Sequence, residues 1–516
     1  MRKKGIYLVW LCLVSHAGAT SLIFQAPTLS EPHYRISFPF EVKEGKVLIQ
    51  DLLLNESKVG LFLVFQGGKN IPSSSPLERG QYNIVLDYAW ASRKAYKIKL
   101  LWTQENSKKQ RQLEVRGQSP QEGGIPGAEE GFYRTYRIEE PIGIERRGEI
   151  CLLTVTAPRS EIETADFILF EGRREIPYQV LEKKECIPPE KASANHPVTL
   201  TCQLAVPMDA GPKEKKVILL LRGQKKVQPE KAFLLTGEGL GKTVKNNHLQ
   251  LSFHPQSGQI NTIDYSAENI HLFNKAGVIH WNPDVFIPGL AWDHSFDWNP
   301  PAHFEERTGE YVYINLRRGP FPRIPDVSLE VKYILEIDAP YFLSETRLTF
   351  GADKGVIAVR NDEMVLYKEL FDSLLYPTKE GKTVQMPLRE KEGLPFGLVH
   401  IAPQDAEWVG LLNTKENFGF FSLRVSALNA CLEAAGEFLL RPGTYFYAPA
   451  DGNYVYWVRP LIYTWADYTT NNHLTFVPQG SFFYEKNAYL VLRLGEDVPE
   501  KIQDLHRRLR NPLRVF

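Results

Sequence analysis

The feature that most constrains this chain is how seldom its apolar residues recur at helical spacing. Segments such as Lys97-Ile98-Lys99-Leu100-Leu101-Trp102, Val217-Ile218-Leu219-Leu220-Leu221 and Tyr311-Val312-Tyr313-Ile314-Asn315-Leu316 are β-branched, aromatic or alternating, and they end at Gly, Pro, Asn or Asp. Such runs fit a pleated surface that buries one face, with turns between them. Only the C-terminus breaks the pattern: Asp497 is placed to cap, Pro499 suits a first turn, and Ile502, Leu505 and Leu509 form one stripe before Asn511-Pro512. The expected fold class is therefore all-β, ending in one short packing helix.

The amino terminus predicts where the protein works. A basic start at Met1-Arg2-Lys3-Lys4, a short apolar run to Val14 and the small residues Ala17-Gly18-Ala19 read as a secretory signal peptide over residues 1–19. Cys12 raises a lipoprotein alternative, against which Val9-Trp10-Leu11 argues. No later stretch has the roughly 18–20 apolar residues of a spanning helix. The expected location is secreted or periplasmic, with no membrane span. Lys and Arg number 61 and Asp and Glu 61, a balance that gives no long-range attraction to nucleic acid. In an oxidising compartment Cys151, Cys186, Cys202 and Cys431 have three possible pairings, of which Cys186 with Cys202 is favoured.

Two stretches repeat. Phe65-Gln66-Gly67-Gly68-Lys69-Asn70-Ile71-Pro72 and Phe170-Glu171-Gly172-Arg173-Arg174-Glu175-Ile176-Pro177 share Phe, Gly, Ile and Pro at equal spacing, and each follows a Tyr-Arg entry strand. Two small β-sandwiches, 20–115 and 131–235, joined by the Gly-, Pro- and Glu-rich Gln118 to Gly131, account for this. A larger antiparallel domain, 240–516, follows. It opens on the hairpin pattern Asn247 to His254, a turn at Pro255 to Gly258, and a return over Gln259 to Ile263.

The richest local chemistry lies in Gly289-Leu290-Ala291-Trp292-Asp293-His294-Ser295-Phe296-Asp297-Trp298-Asn299-Pro300-Pro301. Prolines and a glycine disfavour a regular strand, and so many aromatics are costly to expose without a partner. As a functional loop, Trp292 or Trp298 stacks on a sugar ring and His294 moves a proton. Asp293 or Asp297 orients that histidine or binds a cation such as calcium. As a structural loop, the same His and Asp satisfy backbone groups. Gly237 to Thr243 has one residue too few for a phosphate loop, and HExxH, GxSxG and EF-hand patterns are absent. Lys213 to Lys216 reads as a solvated turn, and His400 as a satisfied core or edge histidine.

The run HLQLSFHPQSGQINTI, with EYVYINLRRG, DVSLEVKYILEIDAPYFLSETRLTF, VYWVRPLIYTW and FVPQGSFFYEKNAYLVLRL behind it, resembles the galactose-mutarotase-like supersandwich of carbohydrate-active proteins. FILFEGRREIPYQV resembles the amino-terminal module of exo-acting rhamnogalacturonan lyase-like proteins. The helical toroid that many uronate lyases carry is missing. The resemblance implies a polysaccharide lyase acting on a uronate-containing polysaccharide or oligosaccharide by β-elimination. That reaction needs a group to neutralise the uronate carboxylate and a base to take the adjacent proton. His294, Tyr311 or Tyr463 is the candidate base, and Arg318 or Arg459 the carboxylate holder. Arg459 and Tyr463 face the same way if their strand is regular, with Tyr456 opposite. His473 is a further substrate contact. Two alternatives stand beside this: a glycoside hydrolase using two of Asp293, Asp297, Glu305 and Glu306, and a non-catalytic glycan-binding protein.

Overall fold

A computed structural model describes residues 33–516 apart from 55–56, 59–62, 67–68, 72–74, 90–95, 105–109, 118–132, 160–166, 172–173, 188–198, 223–226, 228–232, 276, 291, 390–396, 431–442 and 451. The signal-peptide segment, the linker around 118–131 and Cys431 lie outside the described residues, as does the side chain of Cys186. The chain is all-β. Its strands form antiparallel sheets, and among the described residues the α-helices are Trp465–Asn471 and Val498–Arg510. No helix among them is long and apolar enough to cross a membrane.

The chain divides into two compact units. The first pairs a sheet of His33–Val42, Gly80–Ala89, Leu63–Gln66 and Lys69–Ile71 with one built on Val47–Leu54 and Tyr96–Gln104, around a core that includes Phe40, Leu52, Val64, Ile84 and Leu100. The second unit begins with a comparable row: Tyr133–Glu139, Lys215–Arg222, Phe167–Glu171 and Arg174–Ile176. The repeated motifs form equivalent hairpins, closing at Gln66↔Lys69 and Glu171↔Arg174. Their chain paths differ. In the first row the strand next to the hairpin follows it directly, whereas in the second row Gln179–Ile187 and Thr199–Ala210 of the opposite sheet intervene. Cys202 is fully buried in this second sandwich core and carries a free thiol, which corrects the expected Cys186–Cys202 bond. Its strand turns the side chain inward among Leu153, Leu204 and Val206.

The rest of the second unit holds a nine-stranded sheet running from His303–Arg307 to Thr383–Pro387 and a six-stranded sheet. The six-stranded order is Asp293–His294, Asp284–Phe286, Ala358–Tyr367, Tyr454–Tyr463, Thr444–Tyr447, Leu398–Ala402. The expected hairpin forms, with Gln250–Phe253 paired to Ile260–Tyr265 and Gly258 taking the left-handed turn position at φ +67°. The long strands Val327–Glu336 and Tyr341–Phe350 pair from Val327↔Phe350 onward. Val498–Arg510 buries Ile502 and packs Leu505 and Leu509, but Asp497 makes no side-chain cap and pairs with Lys501 at 2.7 Å instead.

Three features tie the second sandwich to the C-terminal segment and the large sheets. The terminal strand Arg514–Val515 pairs with Tyr133–Glu139, and buried Arg146 donates to the carbonyls of Arg508 (3.2 Å) and Asn511 (2.6 Å) at the end of the helix. Gln179, 4% exposed, accepts from the N–H groups of Tyr311 (2.8 Å) and Val312 (2.7 Å) and donates to the carbonyl of Val312 (2.9 Å). Gln179→Ala should leave these backbone groups unpaired and lower stability by about 2–4 kcal/mol. Urea unfolding measures this, and a change under 0.5 kcal/mol, roughly the spread of neutral surface substitutions, would show that the amide is dispensable.

Candidate functional site

The strand Ala358–Tyr367 is apolar except for Arg360-Asn361-Asp362-Glu363 at its middle. Simple alternation would send these residues to opposite faces in turn. The register against Tyr454–Tyr463 instead slips between Asn361↔Arg459 and Met364↔Trp457, so Asp362 and Glu363 together oppose Val458. Asp362 occupies the bulge with φ +53°, a left-handed conformation that costs a non-glycine residue roughly 1–2 kcal/mol. The bulge turns Arg360 and Glu363 to one face of the sheet while Asn361 and Asp362 point between the two sheets.

On the first face, Asp284 is the cross-strand partner of Arg360. It receives a bidentate pair from that guanidinium, through Nε at 3.0 Å and through Nη2. The same Nη2 lies 3.2 Å from Glu363 Oε2, which accepts no hydrogen bond of good geometry. His294 reaches Asp284 from the neighbouring strand, Nδ1 to Oδ2 at 3.0 Å. The Arg360 guanidinium lies over the ring of Trp292, 3.6 Å from its centroid.

Two carboxyls on one guanidinium nitrogen cannot both be comfortably ionised in a dry setting, and their proton affinities separate. Burial pushes Glu363 up to about 7; Arg360 opposes that rise and Asp284 reinforces it. Burial also penalises the charge on Asp284, but Arg360 and His294 outweigh it and hold that carboxyl below its usual range. Burial, then the charge of Glu363, raises the nearby Tyr456 phenol, so that it stays neutral.

Aromatic rings surround this centre. Trp292 and Trp465 both stack on Phe286, at 5.0 and 4.8 Å between centroids, while Trp281 packs edge-on to His294 at 5.7 Å. Tyr456 stacks on Tyr447 at 4.6 Å, and Tyr445 bridges from Tyr447 to Tyr463. A face of partly exposed rings around a proton-carrying carboxyl and an Asp–His pair is suited to holding a sugar while moving protons.

The residues singled out from sequence fall in several places. His294 and Trp292 are at this centre, and Tyr463 is further along the same face. Asp293 and Asp297 lie beneath it: Arg323 donates to Asp293 through its backbone N–H (2.7 Å) and Nε (3.3 Å), and to Asp297 at 3.1 Å. A guanidinium occupies both aspartates, so they brace the loop backbone around His294, with Asp297 accepting the His294 backbone N–H at 3.3 Å, while the carboxylate facing the histidine ring is Asp284. Among the described residues no group of three or more His, Cys, Asp or Glu side chains is arranged to hold a metal ion. Trp298 is 3% exposed, donates to the carbonyl of Pro320 at 2.8 Å, and belongs to the core.

Arg459 is 3% exposed and faces inward, paired with Asp362 at 2.9 Å and Glu485 at 3.2 Å. Leu461 is an extra residue between Ile462, opposite Val359, and Pro460, opposite Arg360. That second bulge corrects the expected geometry: Tyr463 shares a face with Tyr456 and not with Arg459. Tyr311 is buried, and Arg318 is exposed on Val312–Pro320 in the other sheet. His473 is half-buried just beyond Trp465–Asn471. Glu305 pairs with Arg307, and Glu306 with Lys242 and Tyr313. His400 lies 2.7 Å from the Tyr376 hydroxyl. Sequence reading missed Asp284, Arg360 and Glu363, although the polar run inside an apolar strand was a visible signal.

No family model matches the chain, and no curated protein matches it in sequence. Similar solved structures include an alpha-mannosidase from Enterococcus faecalis V583, at 10% identity over 74% of this chain and 46% of that one, with a TM-score of 0.48. A galactose mutarotase related enzyme from Lactobacillus acidophilus is similar at 13% identity over 49% of this chain and 98% of its own, TM-score 0.31. A galactose mutarotase-like protein from Lactobacillus casei ATCC 334 has 11% identity over 48% and 99%, TM-score 0.32. The chain spans about half the length of the mannosidase, 46%.

The raised Glu363 pKa has a measurable consequence. From the ordinary carboxyl value of 4.5 up to about 7, the folded chain holds a proton at this position that the unfolded chain has lost. Stability contributed by that proton is full below the window and falls as pH rises through it. The urea midpoint of wild type should therefore decline across the window, and Glu363→Gln should remove that part of the decline. Parallel slopes for the two proteins would place the Glu363 pKa in the ordinary range.

Proposed function

We propose that this chain is a carbohydrate-active enzyme that hydrolyses a glycosidic bond in a polysaccharide or oligosaccharide. The observation that carries the reading is the meeting of Glu363 and Asp284 on one guanidinium nitrogen, beside His294 and beneath aromatic rings. Two acceptors on one nitrogen lie within roughly 5–6 Å of one another, too close to seat an attacking water between two carboxyls, so the base for the water is the neighbouring histidine. Glu363, protonated near neutrality, is the acid for the leaving oxygen. Asp284 faces His294 Nδ1 at 3.0 Å, and His294 Nε2 is the position that takes the proton of an attacking water. Trp292 and the tyrosines supply the stacking surface.

Elimination is the second reading. It requires a cation free to neutralise a uronate carboxylate, and Arg360 and Arg459, the arginines on this sheet, each already face two carboxyls. The substrate favoured by this balance is an uncharged glycan. The amino-terminal pattern alone supports action outside the cytoplasm.

Incubation with a panel of neutral and uronate glycans should produce new reducing ends without the ultraviolet absorbance of an unsaturated product. Glu363→Gln and His294→Ala should each lower kcat by about 10²–10⁴-fold while the protein remains folded. An absorbance rise on a uronate glycan would replace hydrolysis with elimination. Glycan binding with no bond cleavage in either assay would reduce the protein to a binding module.

A further inference from the structure

The inward half of the bulge carries a second charged assembly that the proton chemistry does not use. Asp362 is fully buried, yet its carboxylate has four donors from two sheets. Oδ1 accepts from the Tyr489 hydroxyl at 2.7 Å and from Trp457 Nε1 at 3.4 Å. Oδ2 accepts from Ser422 Oγ at 2.8 Å and pairs with Arg459 Nη2 at 2.9 Å. The preceding Asn361 donates to Glu485 Oε2 at 2.8 Å and to Thr346 Oγ1 at 2.7 Å, and Arg459 Nη1 reaches the same Glu485 oxygen at 3.2 Å. Ser422, Glu485, Tyr489 and Thr346 belong to the nine-stranded sheet, Arg459 and Trp457 to the six-stranded one.

We infer that Asp362 and Arg459 are positioning residues: their buried pair, anchored across the two sheets, holds the left-handed bulge that brings Glu363 and Arg360 onto one face opposite Asp284. An aspartate at φ +53° in mid-strand persists only where its surroundings over-determine it, and here the side chain supplies that determination. Without the bulge, period-two alternation would put residues 360 and 363 on opposite faces and separate the two halves of the centre. Neither Asp362 nor Arg459 touches the outer face, so their effect runs entirely through the backbone of Glu363. The groups that meet Glu363 on that face are Asp284, His294, Arg360, Asn282 and Tyr456.

This inference rests on the role proposed for Glu363, and its test has a readout that needs no substrate. The full chain is labelled with carboxyl-¹³C glutamate, and the Glu363 signal is assigned by its loss in Glu363→Gln. Asp362→Asn keeps a residue that tolerates the left-handed backbone but deletes the charge facing Arg459. Its expected effect is to move the Glu363 titration down from about 7 toward the ordinary carboxyl range. It should also lower kcat on the order of a hundredfold at unchanged KM, as misplacement by about an ångström does. Tyr489→Phe removes only one donor to Asp362 and should shift both readouts less, in the same direction. If Asp362→Asn fails to fold, Tyr489→Phe decides on the same two readouts. A folded variant whose Glu363 titration matches wild type overturns the inference, whatever its turnover. A shifted titration in a protein that cleaves no glycan upholds the positioning role and removes the hydrolase reading instead.

Discussion

Everything specific about the outer face of the six-stranded sheet depends on one carboxylate held between the sheets. Asp362 takes a backbone conformation that its side chain would not choose, and a buried charge that would be costly alone. Both costs are offset by the same groups: Arg459, Ser422, Tyr489 and Trp457 converge on its two oxygens. A satisfied polar network in a core specifies register more sharply than apolar packing, because a one-residue slip would leave every donor unpaired. Here the register so fixed decides which side of the sheet Glu363 occupies.

The two faces of the bulge repeat one motif with opposite consequences. Arg459 sits between Asp362 and Glu485 as Arg360 sits between Asp284 and Glu363. The difference lies in the remaining donors. The inner carboxylates accept further hydrogen bonds from Tyr489, Ser422, Asn361 and Asn487. Glu363 has an oxygen with no hydrogen-bond donor in line. Burial then favours its neutral form, and a carboxyl that keeps its proton near neutrality is able to give it away. Donor supply separates a structural ion pair from a proton carrier on the same strand.

Periodicity made the fold legible. Alternation marked the strands, Pro255 to Gly258 marked the hairpin turn, and Ile502, Leu505 and Leu509 marked the helix, because each signal is local. The site is built from distant segments, and local counting misplaced it in two ways. Asp293 and Asp297 adjoin His294 in sequence, but antiparallel pairing sets Asp284 directly opposite it. Counting by twos along Tyr454–Tyr463 put Arg459 with Tyr463, and the extra residue at Leu461 reverses that. Bulges leave no periodic trace; their signature here is polar residues where an apolar strand should continue, at Arg360 to Glu363.

In the proposed reading the Trp292 to Trp298 loop serves structure and function together, and the two roles depend on one another. His294 lies on a two-residue strand, too short to hold a side chain in place by its own ladder. Arg323 clamps Asp293 and Asp297 on either side of it, Asp297 also accepts the His294 backbone N–H at 3.3 Å, and Trp298 anchors the exit in the core. A proton-transfer group is effective only when its supporting contacts fix it to within a fraction of an ångström. Under the proposed function, the aspartates that stay clear of the sugar are what position the histidine between them, and Trp298, buried in the core, does as much for that geometry as Trp292 beside Arg360.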